Sequence, residues 1–84
     1  MNFTVKWESA GRSELHQLWV TSPNPAAVRA AADTAERMLA GDPFGSGQHL
    51  AEELWRAVVP PLVVYYTIDP AQQTVVISNV AHIV

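Results

Sequence analysis

The first residues of the chain alternate between apolar and polar side chains. In the segment NFTVKW, residues 2–7, aromatic or aliphatic side chains occupy the odd positions and polar side chains the even positions. A period of two is typical of a β-strand with one buried face. Beyond it, Leu15, Leu18 and Trp19 recur at the spacing of a helical stripe. The pattern therefore predicts a strand at 2–7 and a first helix at about 9–20.

The clearest helical pattern in the chain covers residues 24–40. Asn24 suits the N-cap position, and Pro25 suits the first helical position, where its missing N–H costs nothing. One face of this helix is apolar and consists of Val28, Ala31, Ala35, Met38 and Leu39. The link to the first helix, TSPNP, is short. We therefore predict one continuous helix at 24–40, antiparallel to the first helix, with both helices on one face of a sheet.

The segment after this helix is harder to assign. Residues 41–48, GDPFGSGQ, contain three glycines and a proline and predict a loop. For residues 49–59 two interpretations stay open. Local propensity favours a helix through Ala51–Trp55, whereas the alternation over 54–58 favours a strand. Pro60-Pro61 ends either element, because proline continues neither a helix nor a central strand.

The last part of the chain predicts a β-hairpin. Residues 62–68 alternate strictly, residues 69–73 (DPAQQ) have turn chemistry, and residues 74–83 form a second apolar strand. In that strand the apolar phase changes after Ile77. A single face can hold Val75, Ile77, Val80 and His82 only if one extra residue is inserted near Ser78-Asn79. We therefore predict a β-bulge at this point, a feature that often re-aims a side chain.

The predicted order is an N-terminal strand, a two-helix hairpin and then antiparallel strands (β-α-α-β-β-β). This order indicates an α+β fold in which the helical hairpin packs on a mostly antiparallel sheet. A length of 84 residues allows one domain, residues 1–84.

The charge of the chain disfavours direct binding to nucleic acid. The formal net charge is −3, whereas phosphate contacts require a basic surface. The basic residues are scattered along the sequence: Lys6, Arg12, Arg29, Arg37 and Arg56.

Composition also limits the chemistry of the protein. The absence of cysteine excludes disulfides and a thiolate zinc site, and the histidines lack metal-ligand spacing. The N-terminal segment has no apolar region of a signal peptide. The longest apolar run, Val58–Tyr66, is too short to span a bilayer. We therefore expect a cytoplasmic protein with no metal, no cofactor and no membrane contact.

Four segments, in this order and spacing, resemble the RelE/ParE superfamily of toxins from bacterial type II toxin–antitoxin systems. They cover nearly the whole chain and read VKWESAGRSELHQLW, AADTAERMLAGDPFGSG, ELWRAVVPPLVVYYTID and VVISNVAHI. The turn pattern of the family falls on Leu39, Pro43 and Gly45, and its closing pattern on Val75, Ile77, Val80 and His82. The resemblance implies the compact toxin fold of the family, and it favours a strand at about 53–59.

Two activities occur in this superfamily. RelE-like members cleave ribosome-bound messenger RNA, and ParE-like members inhibit DNA gyrase. In both branches a cognate antitoxin wraps the toxin with an extended segment and a helix. The resemblance therefore implies an antitoxin partner. The high apolar fraction of so small a domain also allows a homodimer as the assembly that covers its surface.

The resemblance assigns catalytic positions to Arg56 and His82. His82 matches the C-terminal histidine of the family, and Arg56 matches an arginine often found on the second strand. We expect both on the sheet face away from the helices. If the protein is a nuclease, their side-chain tips should lie roughly 5–8 Å apart, because the base and the phosphate-binding arginine act on one phosphate. The second arginine of nuclease members is replaced here by Leu62. A single cation leaves much of the transition-state charge unmatched.

We therefore favour action through protein–protein contacts, with an antitoxin and with a gyrase-type target. Trp55 and Tyr65 are the predicted partner-binding residues, although packing under the loop fits Trp55 equally well. Two alternatives stay open. One is a metal-independent endoribonuclease that uses Arg56 and His82, and the other is a non-toxic scaffold protein that kept only the fold.

Overall fold

The computed structural model describes residues 2–83, which form two helices and five strands. In chain order these are β1 (Thr4–Trp7), α1 (Ser9–Thr21), α2 (Pro25–Gly41), β2 (Gln48–Ala51), β3 (Leu54–Val59), β4 (Leu62–Asp69) and β5 (Thr74–His82). The strands build one sheet in the order β1-β5-β4-β3-β2. β1 runs parallel to β5, and all other neighbours are antiparallel. The predicted α+β fold is therefore confirmed.

Both predicted helices are present. α2 is continuous, and the Asn24 Oδ1 accepts a hydrogen bond from the Ala27 N–H at 3.2 Å, as an N-cap side chain does. α1 packs along β5, and its Leu15 and Leu18 lie against the hydrophobic core. The buried side chains of α2 belong to the same core and are Val28, Ala31, Ala32, Ala35 and Leu39.

The core lies between the helices and one face of the sheet. In β4, Leu62, Val64 and Tyr66 are buried, whereas the side chains between them are half-buried. We call the covered side the helix face and the other side the open face. Cross-strand pairing places three rows of residues at the centre of the open face: Leu54-Thr67-Val76, Arg56-Tyr65-Asn79 and Val58-Val63-Ala81.

Residues 49–59 form strands rather than a helix. β3 pairs with β4 over its full length, and this pairing buries Ala57 and Val59. The helix interpretation of Ala51–Trp55 was therefore wrong, because burial in a sheet outweighs weak local helix propensity. β2 is an additional edge strand whose first residue falls in the predicted loop. It joins β3 through a tight turn in which Glu52 has a positive φ of 48°.

The predicted bulge is confirmed in β5. Tyr65 is paired with Asn79, whereas the next residue, Tyr66, is paired with Ile77, so that Ser78 is the inserted residue. The insertion returns Val80 to the core, where 4% of it is exposed. Without the extra residue the apolar side chains after Ile77 would point to solvent, because a shift of one residue exchanges the two faces of a strand.

Candidate functional site

Arg56 lies in the middle row of the open face. Its neighbours across the sheet are Gln48 on β2 and Tyr65 on β4, and the row continues to Asn79 on β5. The Arg56 Nη2 donates a hydrogen bond to the Gln48 Oε1 at 2.9 Å. This partner is a neutral amide, so the guanidinium is positioned without being neutralised.

The surroundings of Arg56 are apolar. Leu54 and Val58, two residues to either side along β3, are 37% and 53% exposed. Val63 and Tyr65 are half-buried beside them. The other cation of this face is Lys6, which lies across the sheet on β1. β1 and β3 are three strand spacings apart, a distance of about 14 Å across the sheet. The two cations therefore do not form a basic cluster.

A depression of about 370 Å³ adjoins this row on the side of β5. Its walls are formed by Glu14, Leu54, Tyr65, Asn79, Val80 and Ala81. Glu14 reaches the depression from α1, where its Oε1 accepts hydrogen bonds from the Val80 N–H at 3.0 Å and the Asn79 Nδ2 at 3.2 Å. No local sequence pattern points to Glu14, because the residues that it contacts, Asn79 and Val80, lie 65 and 66 positions away in the chain.

His82 lies on the helix face. Its partner across the strands is Leu62, which is fully buried on that face, and directly opposed residues of antiparallel strands share a face. Arg56 belongs to the open face, two strands and three residue positions away, so the two Cα atoms are about 14 Å apart at standard sheet spacings. The prediction that Arg56 and His82 share the face away from the helices was therefore wrong, because the bulge turns His82 toward the helix face.

The two predicted partner-binding residues also lie on different faces. Tyr65 is on the open face, next to Arg56. Trp55 packs on the helix side, with its ring centroid 5.6 Å from that of Phe44 and 5.0 Å from that of His49. Of the two interpretations of Trp55, this position supports packing under the loop. The structure therefore brings Arg56 and Tyr65 together, and it separates both from Trp55 and His82.

A second surface feature is the cleft between the two helices, which we call the helix groove. Its volume is about 410 Å³, and its lining includes Trp7, Leu15, His16, Trp19, Val28 and Ala32. Trp19 is 44% exposed. Charged residues of both signs line the same groove: Arg12, Arg29, Asp33 and Glu36. An apolar floor with a charged rim suits an amphipathic helix of a partner.

The groove is held in shape by a polar contact at one end. The Trp7 Nε1–H donates a hydrogen bond to the Glu36 Oε1 at 2.5 Å, which links β1 to α2. One sequence feature relates to the groove, the apolar stripe of α1. Its last residue, Trp19, is too exposed to pack only in the core. By its spacing alone, this stripe predicted only a helix.

Within residues 2–83, no helix is long and apolar enough to cross a membrane. Within the same residues, no group of three or more histidine, cysteine, aspartate or glutamate side chains is arranged to hold a metal ion.

Comparisons with known proteins give no match to a protein-family model and no significant match to a curated protein sequence. Solved structures do match. The chain is similar to one in the RelBE2 toxin–antitoxin complex from Mycobacterium tuberculosis, with 28% identity and a TM-score of 0.83 over 98% of this chain and 92% of that one. It is also similar to a chain of the chromosomal ParDE system from P. aeruginosa, with 12% identity and a TM-score of 0.76 over 98% and 97%.

A third solved structure extends the likeness to archaea. A chain of the RelE–RelB complex from Pyrococcus horikoshii OT3 matches with 16% identity and a TM-score of 0.59, over 98% of this chain and 96% of that one. These three matches span almost the full length of both chains. The protein is therefore a RelE/ParE-like superfamily member, as its sequence resemblance predicted.

Proposed function

We propose that this protein is the toxin-like component of a toxin–antitoxin pair and that it acts through protein–protein contacts. The observation that carries the proposal is the helix groove, which presents an apolar floor and an exposed Trp19 on a fold shared with toxin–antitoxin complexes. The antitoxin would place a helix in this groove. The setting that we propose is the bacterial cytoplasm, where such pairs contribute to plasmid stabilisation.

The arrangement of charges favours protein contact over RNA cleavage. Cleavage of RNA without a metal needs a base, an acid and cations around one phosphate. Here Arg56 is separated from His82 by the sheet itself. It lies three strands and two residue positions from Lys6, which is about 16 Å at standard sheet spacings. The endoribonuclease alternative therefore lacks a converging site in this fold. A gyrase-type protein target needs no catalytic set.

A homodimer remains part of the proposal as another assembly that would cover exposed apolar side chains. The large exposed apolar side chains include Trp19, Val20, Phe44 and Leu50. An antitoxin and a second copy of the chain would compete where these surfaces overlap.

The test is co-expression of the chain with the products of the adjacent reading frames. We expect one of these products to co-purify, and we expect Trp19→Ala to weaken the complex about tenfold or more, because an exposed tryptophan in a groove is a typical interface hot spot. Val20→Ala is the matched control, since Val20 is 58% exposed on α1 but does not line the helix groove.

The affinity for the partner can be measured by calorimetry on purified proteins. A change below about twofold is expected for the Val20 variant, as for most peripheral contacts. Absence of any binding neighbour product, or equal effects of the two substitutions, would contradict the proposal.

A further inference from the structure

The open face has the features of a second docking surface. We infer that it binds a segment of a target protein, with a carboxylate of that segment on Arg56 and an apolar side chain in the depression beside Tyr65. The inference rests on the proposed action through protein contacts. It assigns the target to a surface on the opposite side of the sheet from the helix groove, so both partners could bind at once.

Charge complementarity identifies the chemistry of the segment. Arg56 carries a full positive charge, and its side-chain partner, Gln48, is a neutral amide that fixes its position. Leu54 and Val58 flank it and would exclude water from an ion pair formed there. A bidentate pair between guanidinium and carboxylate is strong and directional when water is excluded. Arginine and tyrosine are also the residues that most often dominate protein interfaces.

The depression sets the direction of the segment. Its far wall is Glu14, whose carboxylate is held against the bulged strand by Val80 and Asn79. A second carboxylate would be repelled at that end. The acidic residue of the segment therefore lies over β3, and a neutral or basic residue lies toward α1.

A single-stranded RNA fits this surface poorly. Sites of that kind combine a basic groove with several aromatic side chains on which bases stack. The open face has one aromatic residue at its centre, Tyr65, and its two cations, Arg56 and Lys6, lie far apart. The same face also carries Val63, Val76 and Ala81, whose side chains offer no phosphate contacts.

A second copy of the chain also fits poorly. Five strands of about five residues give a face of roughly 400 Å² at standard spacings. A stable interface buries about 800 Å² on each partner. The face therefore suits a short segment of a larger target, which gains further contacts elsewhere.

The test is a selection of random 12-residue peptides displayed on phage against the immobilised full chain. Selected clones are then tested on the Arg56→Gln chain, and those that bind it equally are set aside as ligands of the helix groove or other surfaces. Arg37→Gln is the matched control, because Arg37 is an exposed arginine on α2. Circular dichroism of each variant verifies that it is folded.

We expect a group of clones that lose about tenfold or more in affinity on Arg56→Gln and less than twofold on Arg37→Gln. These clones should carry an aspartate or glutamate next to aliphatic residues, and Arg56→Lys should restore part of the affinity. The inference is overturned if no clone depends on Arg56, if the dependent clones are basic, or if a 12-nucleotide RNA binds the chain through Arg56 more tightly than they do. Because the selection requires neither toxicity nor an antitoxin, its failure is distinguishable from failure of the proposed function.

Discussion

At the scale of single residues, Tyr66 shows how one hydroxyl group joins the sheet to the loop before β2. The side chain is fully buried, and its Oη donates a hydrogen bond to the Pro43 carbonyl at 2.8 Å. Gly47 lies so close to this hydroxyl that a Cβ at that position would collide with it. Burial, with a smaller effect of the Asp42 carboxylate, raises the pKa of Tyr66 to about 12.

This environment predicts a specific dependence of stability on pH. The unfolded chain releases the tyrosine proton at about pH 10, whereas the folded chain retains it until about pH 12. The stabilisation is therefore complete below pH 10 and is lost as pH rises toward 12. Tyr66→Phe should lower the free energy of unfolding by about 1 kcal/mol at neutral pH and should remove this part of the alkaline loss.

Urea unfolding at a series of pH values measures both effects. Tyr65→Phe is the matched control, because Tyr65 is half-buried on the open face and should leave the alkaline loss in place. Identical pH profiles for the wild type and the Tyr66 variant would contradict this account of the buried hydroxyl.

Residue-level patterns predicted the positions of some site residues and failed for others. Arg56 and Tyr65 were predicted to be functional, and the structure places them side by side. The predicted face of His82 was wrong, although the bulge that places this residue on the helix face was predicted. If Ser78 is counted as the inserted residue, His82 has the same alternation as the buried Ile77. The sequence pattern was therefore sufficient to place His82 on the helix face.

At the scale of secondary-structure elements, α1 lies unusually close to the bulged part of β5. The Gly11 position is buried, and a Cβ there would lie 2.9 Å from the Ile77 carbonyl oxygen and 3.3 Å from the Ser78 oxygen. These are backbone atoms of a paired strand, which do not move aside as a side chain does. Glycine at this position therefore permits the helix to pack on the strand.

Gly11→Ala should destabilise the protein by about 1–3 kcal/mol, the usual cost of overpacking. Helix propensity alone predicts the opposite effect, because alanine stabilises a helix by about 1 kcal/mol relative to glycine. Gly41→Ala is the matched control near the end of α2, because a Cβ there meets no atom within 4 Å. Thermal unfolding followed by circular dichroism compares them, and a stabilised Gly11 variant would disprove the close contact.

The elements that periodicity predicted well are those with long and regular patterns. The helices and the hairpin of β4 and β5 were correct, because a buried face imposes its period on many consecutive residues. β2 was not predicted as a separate strand, because its four residues are all exposed and form no apolar pattern. Its pairing with β3 leaves no periodic signal in the sequence of β2 itself.

At the scale of the whole molecule, the fold was largely predictable and the functional surfaces were not. The order of elements and the family resemblance follow from segments that are local in sequence. The helix groove and the depression depend on side chains from separate elements, such as Trp7 with Trp19 or Glu14 with Tyr65. Only the packing of helices on the sheet brings these pairs together.

The most direct test of the central claim, action through protein contacts, is controlled expression of the chain in bacteria with growth and messenger RNA followed together. We expect growth arrest with intact messenger RNA and recovery when the neighbouring partner gene is co-expressed. Arg56→Gln should relieve the arrest, whereas His82→Ala should leave it unchanged, because His82 lies on the other face of the sheet. No arrest by the wild type, or arrest with cleaved messenger RNA that His82→Ala abolishes, would contradict the account.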